Sequence, residues 1–368
     1  MHRWTRQMLG ECLRGTAVLA PFHSLVIAYS GAVLVIALWL GKAGALAHGA
    51  YFERLAPIYL VTLPAIMLVG AAALAVHRTD DWSSRCGLLR AYANPTTIGH
   101  AASGLLALVS FIVFMGSFTT FKNLMPDIRG GFVYDRVQAD IDQLLHLGHD
   151  PGALVVALLP HPLLRKAIEW NYSVLWSLLG FIPVFFIATH QAAGTIRLRY
   201  LMTMATTWIV VGSILACLFL SAGPAFYAGV TGDGVRFAAI TSFLGDGAEA
   251  SSAALFQAYL WSSHEAGTSA LGTGISAFPS MHVALAMVNA LFLRELNRMA
   301  GHIGFAYVGL ILLSSVYLGW HYAIDGYVSI LIVLALHPLM RRLFDRGEVF
   351  APASRPQGAL TPAAPPTE

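Results

Sequence analysis

Long apolar runs separated by short clusters of charge organise this chain. Eight segments approach the 20 or so mostly apolar residues that a helix needs to cross a bilayer: 23–45, 55–77, 97–118, 171–189, 200–222, 278–294, 303–320 and 322–341. Two polar connections, 119–170 and 223–277, are too rich in Gly, Pro and charge to lie in hydrocarbon. Within them, 152–168 and 248–262 read as short amphipathic pieces lying along the interface. The pattern predicts an all-α, polytopic membrane protein with about eight transmembrane helices. Residues 1–96 hold two added spans, 97–170 the third span and an outer loop, and 171–346 a helical core, the part that the motifs below make the catalytic one. The Pro- and Ala-rich stretch 347–368 reads as a disordered tail.

Composition agrees with a lipid environment. The chain is 57% hydrophobic and 11% charged, with a mean hydropathy of +0.66, against roughly 25% charged residues in a soluble domain. The net charge of +3 is dispersed, and no block of Lys and Arg interleaved with aromatics suggests nucleic acid as a partner. Cys12, Cys86 and Cys217 match neither a disulfide framework nor a zinc spacing.

Basic residues orient the spans. Arg3, Arg6 and Arg14 precede an apolar stretch too long for a signal-peptide core, which reads as a retained first span with the N-terminus inside. The connections after the second, fourth, sixth and eighth spans hold Arg78, Arg85 and Arg90, then Arg197 and Arg199, then Arg294 and Arg298, then Arg341, Arg342 and Arg346. Loop 223–277, by contrast, has Arg236 against Asp233, Asp246, Glu249 and Glu265. The other outer loop is the exception, because it carries Lys122, Arg129, Arg136, Arg165 and Lys166. Both termini are therefore expected on the cytoplasmic side, with the candidate chemistry on the periplasmic, extracellular or lumenal face.

That chemistry sits in two segments. His321 and Asp325 are four residues apart and on a helix would share one face. Such a carboxylate fixes the orientation and tautomer of an imidazole and stabilises its positive charge, leaving the other ring nitrogen free to attack. A satisfied pair that merely joins two helices is the alternative. Pro279-Ser280-Met281-His282 reads as a loop entering a helix at Pro279, whose first-turn amides can hold a phosphate. Ser280 adds a hydroxyl donor, and His282 is placed to protonate a leaving oxygen. A packed core histidine is the alternative reading of His282.

Pro-Ser-Met-His followed about forty residues later by His-Tyr-Ala-Ile-Asp resembles the second and third signature motifs of the type 2 phosphatidic acid phosphatase superfamily. The resemblance implies a six-helix core in which His321 attacks phosphorus, Asp325 orients it and His282 acts as general acid and base, with neither metal nor cofactor. The phosphatase form of that family carries a Lys and an Arg-Pro in its first motif, and an Arg six residues before the nucleophile. Here the corresponding places read Leu218-Phe219-Leu220-Ser221-Ala222-Gly223-Pro224 and Ser315. This loss, with Gly223-Pro224-Ala225-Phe226-Tyr227 and the segment around Asp135, is similar to the inositol phosphorylceramide synthase branch. Its members, and the sphingomyelin synthases near it, move a phospho-headgroup from a glycerophospholipid to a lipid alcohol.

The missing cations must come from the outer side, where Lys122, Arg129, Arg136 and Arg236 remain. Lys122, just beyond the third span, is the first candidate, against the alternative of a lysine snorkelling to the interface. Asp135, Asp140 and Asp142 have two readings: recognition of headgroup hydroxyls, with Asp135 the candidate, or solvent-facing charges on a loop helix, which the pattern favours. The expected reaction is a double displacement through phospho-histidine, from a lipid phosphate to a lipid or polar alcohol. A phosphatase acting on phosphatidate or a polyprenyl (pyro)phosphate is the nearest rival, and a transporter or scaffold is the alternative from another class.

Overall fold

The computed structural model describes residues 2–194, 196–245 and 250–345. The tail 347–368, and Asp246, Glu249 and Arg346, lie outside the described residues. The described chain is helical, without strands. Helices α1 (His2–Val18) and α2 (Ala20–Trp39) follow one another with only Leu19 between them. Next come α3 (Ala43–Arg78), α4 (Trp82–Tyr92) and the long α5 (Pro95–Arg129). The first long connection folds into α6 (Asp135–Leu145) and α7 (Pro151–Leu158). Two spans follow, α8 (Pro162–Thr189) and α9 (Ile196–Leu218). The second connection holds α10 (Ala238–Leu244) and α11 (Ser252–Glu265), and α12 (Met281–Leu296), α13 (Arg298–Tyr317) and α14 (Ala323–Phe344) close the bundle.

Seven of these helices are long and apolar enough to cross a membrane: α2, α3, α5, α8, α9, α13 and α14. The eighth expected span, 278–294, corresponds to α12, whose 16 residues make it the shortest of the bundle helices. The expected amphipathic piece 152–168 is not one element. Pro160 and Pro162 split it, because proline ends one helix and suits the first turn of the next. Its second half, from Pro162, continues directly into the fourth span.

Side-chain pairs fix how the helices run. His23 Nδ1 meets Ser110 Oγ at 2.8 Å and Ser117 Oγ donates to Ser30 Oγ at 2.7 Å, both across 87 residues, so α2 and α5 lie parallel. In the opposite sense, Ala47 N donates to Thr120 Oγ1 while Tyr59 packs on Phe111, so α3 returns antiparallel along α5. The α5 and α9 helices are the most enclosed spans, whereas α2 and α3 are largely uncovered by protein. The added N-terminal spans therefore sit on the outside of the bundle.

Up-and-down order brings the end of α5, the link after α9, the start of α12, the end of α13 and the start of α14 to one end. At the other end, Glu295 closes α12 and takes both nitrogens of the Arg199 fork and His337 Nε2 at 2.7 Å, with Asp345 2.9 Å from the same guanidinium. Arg199 is 2% exposed, so its charge depends on these carboxylates.

Candidate active site

The two histidine segments meet through the backbone as well as through their side chains. Ser280 N donates to the Asp325 carbonyl at 3.2 Å. Helix α12 starts two residues later than the sequence suggests, at Met281, because Ser280 rather than Pro279 caps it: its Oγ accepts from Val283 N. Ser280 is fully buried in this cap.

His321 lies before α14, not on it. Tyr322 is the extended N-cap, and Asp325 reaches back so that its Oδ2 accepts from Tyr322 N and from His321 Nδ1, both at 3.1 Å. The four-residue spacing thus acts through a capping turn and not along a helix face. With Nδ1–H pointed at the carboxylate, Nε2 carries the free lone pair. His321 is 7% exposed, and burial together with the charge of Lys122 holds its basicity below the ordinary value of 6.5, opposed in part by the Ala277 carbonyl.

The His282 ring stands 6.4 Å from that of His321. It is held between Tyr172, stacked at 4.2 Å and 10°, and Trp176, 3.9 Å away and tilted, whose Nε1 donates to the His282 carbonyl at 3.0 Å. Trp320 extends this aromatic wall on the far side of Tyr172. Sequence reading does not reach Tyr172 or Trp176, since aromatic residues near the start of an apolar span look like interface anchors.

Of the candidate cations, Lys122 is the one brought to the histidines. It is an electrostatic neighbour of both His282 and His321 and has no ion-pair partner among the described residues. The loop before α12 packs over it, with Asn123 Nδ2 donating to Thr273 Oγ1 at 2.9 Å. Gly274 makes the approach possible: its φ is +87°, and a Cβ there would sit 2.9 Å from Lys122 Cγ. Arg129 lies seven residues beyond Lys122, at the last residue of α5. Arg236 is occupied elsewhere, its guanidinium bound to Asp140 at 2.5 Å and 3.4 Å from Asp150, over the rings of Tyr227 and Phe237. Arg136 donates to the Thr231 carbonyl at the surface.

The outer-loop acids correct the solvent-facing expectation. Asp140 is exposed, but Asp135 and Asp142 are 1% and 2% exposed. Asp135 accepts from Ala222 N and Gly223 N, and from the Tyr322 hydroxyl, each at 2.8 Å. Asp142 accepts from Ala323 N at 3.1 Å and Ile324 N at 3.0 Å, satisfying the first amides of α14. Seven residues apart on α6, these carboxylates clamp the link after α9 to the start of α14. Burial raises both above the ordinary carboxylate range, while the amides they accept from pull them down. For Asp135 this leaves both carboxylate oxygens bonded inside the protein.

The described residues form a helical bundle with a buried His–Asp pair, a second histidine and a lysine at one end. The model of the PAP2 superfamily matches residues 139–339, more than half of the chain, which belongs to that superfamily of phosphatases and phosphotransferases. No curated protein and no solved structure matches the chain. Helix α5, which supplies Lys122, lies outside the matched residues.

Proposed function

We propose that this protein is a lipid phosphotransferase that moves a phosphate or phospho-headgroup from a lipid phosphoester to an alcohol through a phospho-histidine. The His321–Asp325 pair, with the His282 ring 6.4 Å from that of His321 and Lys122, which has no ion-pair partner among the described residues, acting on both, carries this reading. His321 Nε2 attacks phosphorus, and the P–O bond to the leaving alcohol breaks. His282 gives that oxygen its proton, and Asp325 stabilises the imidazolium. An incoming alcohol then gives its proton to His282 and takes the phosphoryl group from His321. Lys122 and the amides at the start of α12 neutralise the equatorial oxygens, with Ser280 setting that turn. Arg129, Arg236 and Asp135 are then groups that shape the outer loops.

Transfer is favoured over hydrolysis by the enclosure of the site. Tyr172, Trp176 and Trp320 wall the histidines with aromatic surface, and His321 is 7% exposed. A dry site protects a reactive phospho-enzyme from water until an alcohol arrives. The arginine-rich ends of the spans lie opposite this site, which under the positive-inside rule supports an outer-face position for it.

Purified protein supplied with labelled phospholipid, with and without candidate alcohols, tests the reading. A labelled phosphoester of the added alcohol is expected. Release of inorganic phosphate or free phospho-headgroup alone would reject transfer in favour of a phosphatase.

A further inference from the structure

The fourth span enters the bundle on a buried face marked by Ile168, Tyr172 and Trp176. Its turn Asn171–Leu175 is wound as a π-helix, a form frequent at functional sites. Tyr172 stacks on His282 with ring centroids 4.2 Å apart, which sets its ring beside one of the candidate reacting groups. The Tyr172 hydroxyl is buried with no hydrogen-bond partner among the described residues. The same holds for both amide atoms of Asn171 and for Glu169 Oε1, whose fellow oxygen accepts from Ser252 Oγ at 2.8 Å. Glu169 and Asn171 precede Tyr172 by three residues and by one, and are 6% and 8% exposed. Each unpartnered buried group costs ~1–3 kcal/mol, a penalty a ligand removes by supplying the missing bond.

The chemistry of these groups limits what the ligand can be. The Asn171 amide both donates and accepts, the Tyr172 phenol does the same, and the Glu169 carboxylate only accepts. A phosphoryl group only accepts. It leaves the Asn171 carbonyl and Glu169 unsatisfied, and Glu169 repels its charge. A hydroxyl group donates and accepts, and two on neighbouring carbons can meet the set.

We propose that Glu169, Asn171 and Tyr172 recognise the alcohol partner of the transfer, and that this alcohol is a polyol with at least three hydroxyls. Two on neighbouring carbons are held by these residues while a third reacts beside His282. The reacting hydroxyl attacks the phosphorus of phospho-His321, the P–N bond to His321 breaks, and the hydroxyl proton passes to His282. This inference rests on the phosphoryl-transfer reading above and adds to it the class of the acceptor.

The test uses the full chain in lipid nanodiscs, with labelled phosphatidate as donor and equal concentrations of glycerol and 1-propanol as acceptors. The ratio of glycerol phosphate to propyl phosphate is the readout, since it cancels any general loss of rate. Wild-type protein is expected to favour glycerol at least about tenfold, the order given by one hydrogen bond to a buried polar group. Asn171→Leu and Tyr172→Phe should bring the ratio towards one, and Glu169→Gln, which keeps the shape, should lower it less. A wild-type ratio near one, folded variants that keep the wild-type ratio, or release of inorganic phosphate alone would overturn the inference. Wild-type protein releasing no diacylglycerol from phosphatidate or from any phosphodiester phospholipid supplied in its place would instead overturn the phosphoryl-transfer reading, and this inference with it.

Discussion

The Tyr322 hydroxyl donates to Asp135 Oδ1 at 2.8 Å across 187 residues of chain. This bond ties a helix of the outer loop to the residue after His321, and the same carboxylate holds the Ala222 and Gly223 amides. Asp135→Asn turns one acceptor into a donor facing an N–H group. It is expected to lower kcat about 10²-fold, the scale of a small misplacement of reacting groups. The KM for phosphatidate should change much less, and the matched variant Tyr322→Phe should lose less of kcat. Steady-state kinetics on folded variants checks this, and a rise in KM with kcat intact would mean that Asp135 binds substrate directly.

Lys122 is the cation beside the histidines, so removing its charge should be costly. Lys122→Met is expected to reduce kcat/KM for a lipid phosphate about 10²- to 10³-fold, as for loss of one preorganised charge-stabilising group. Lys122→Arg keeps the charge and should recover part of the loss, limited by the close approach of Gly274. Equal loss in both variants would point to packing and not charge.

The lowered basicity of His321 has a pH consequence. With its folded-state value below 6.5, the unfolded chain takes up this proton before the folded protein does. The His321 contribution to stability is therefore intact above pH 6.5 and is lost progressively as pH falls below it. As the proposed nucleophile, His321 also stays neutral in mild acid, so kcat/KM should show no His321 limb at 6.5 and should decline only at lower pH. A half-maximal point at the ordinary histidine value would contradict this environment.

At the far end of the bundle, Glu295 serves Arg199 and His337 together. Glu295→Ala leaves a buried guanidinium with less compensation and should cost about 3 kcal/mol of stability, read as a lower melting temperature. The glycerol-to-propanol product ratio of the surviving folded protein should not move.

Much of this architecture is legible in the sequence, and the parts that are not share a cause. Apolar run length reports the spans because hydrocarbon thickness sets it. The Ser280 cap and the His321–Asp325 turn are local contacts within short motifs, so the sequence shows them. The placement of Asp135 and Asp142 is not local: charges in a polar loop read as solvated until α6 is seen docked on the starts of α14 and the link after α9. Tyr172 and Trp176 are hidden for a similar reason, since nothing in an aromatic-rich span says which ring will stack on His282. Lys122 stands out only as the basic residue nearest the membrane surface, and its approach to the histidines depends on Gly274 letting the loop before α12 close over it.

The central claim is that His321 forms the bond to phosphorus. Purified wild-type protein, His321→Ala and Asp325→Asn, each given phosphatidate labelled in its phosphate, should be compared for turnover and for acid-labile label on the protein. The account predicts a labelled wild-type protein, no label and background turnover for His321→Ala, and slowed labelling for Asp325→Asn. Retained turnover in His321→Ala would contradict it.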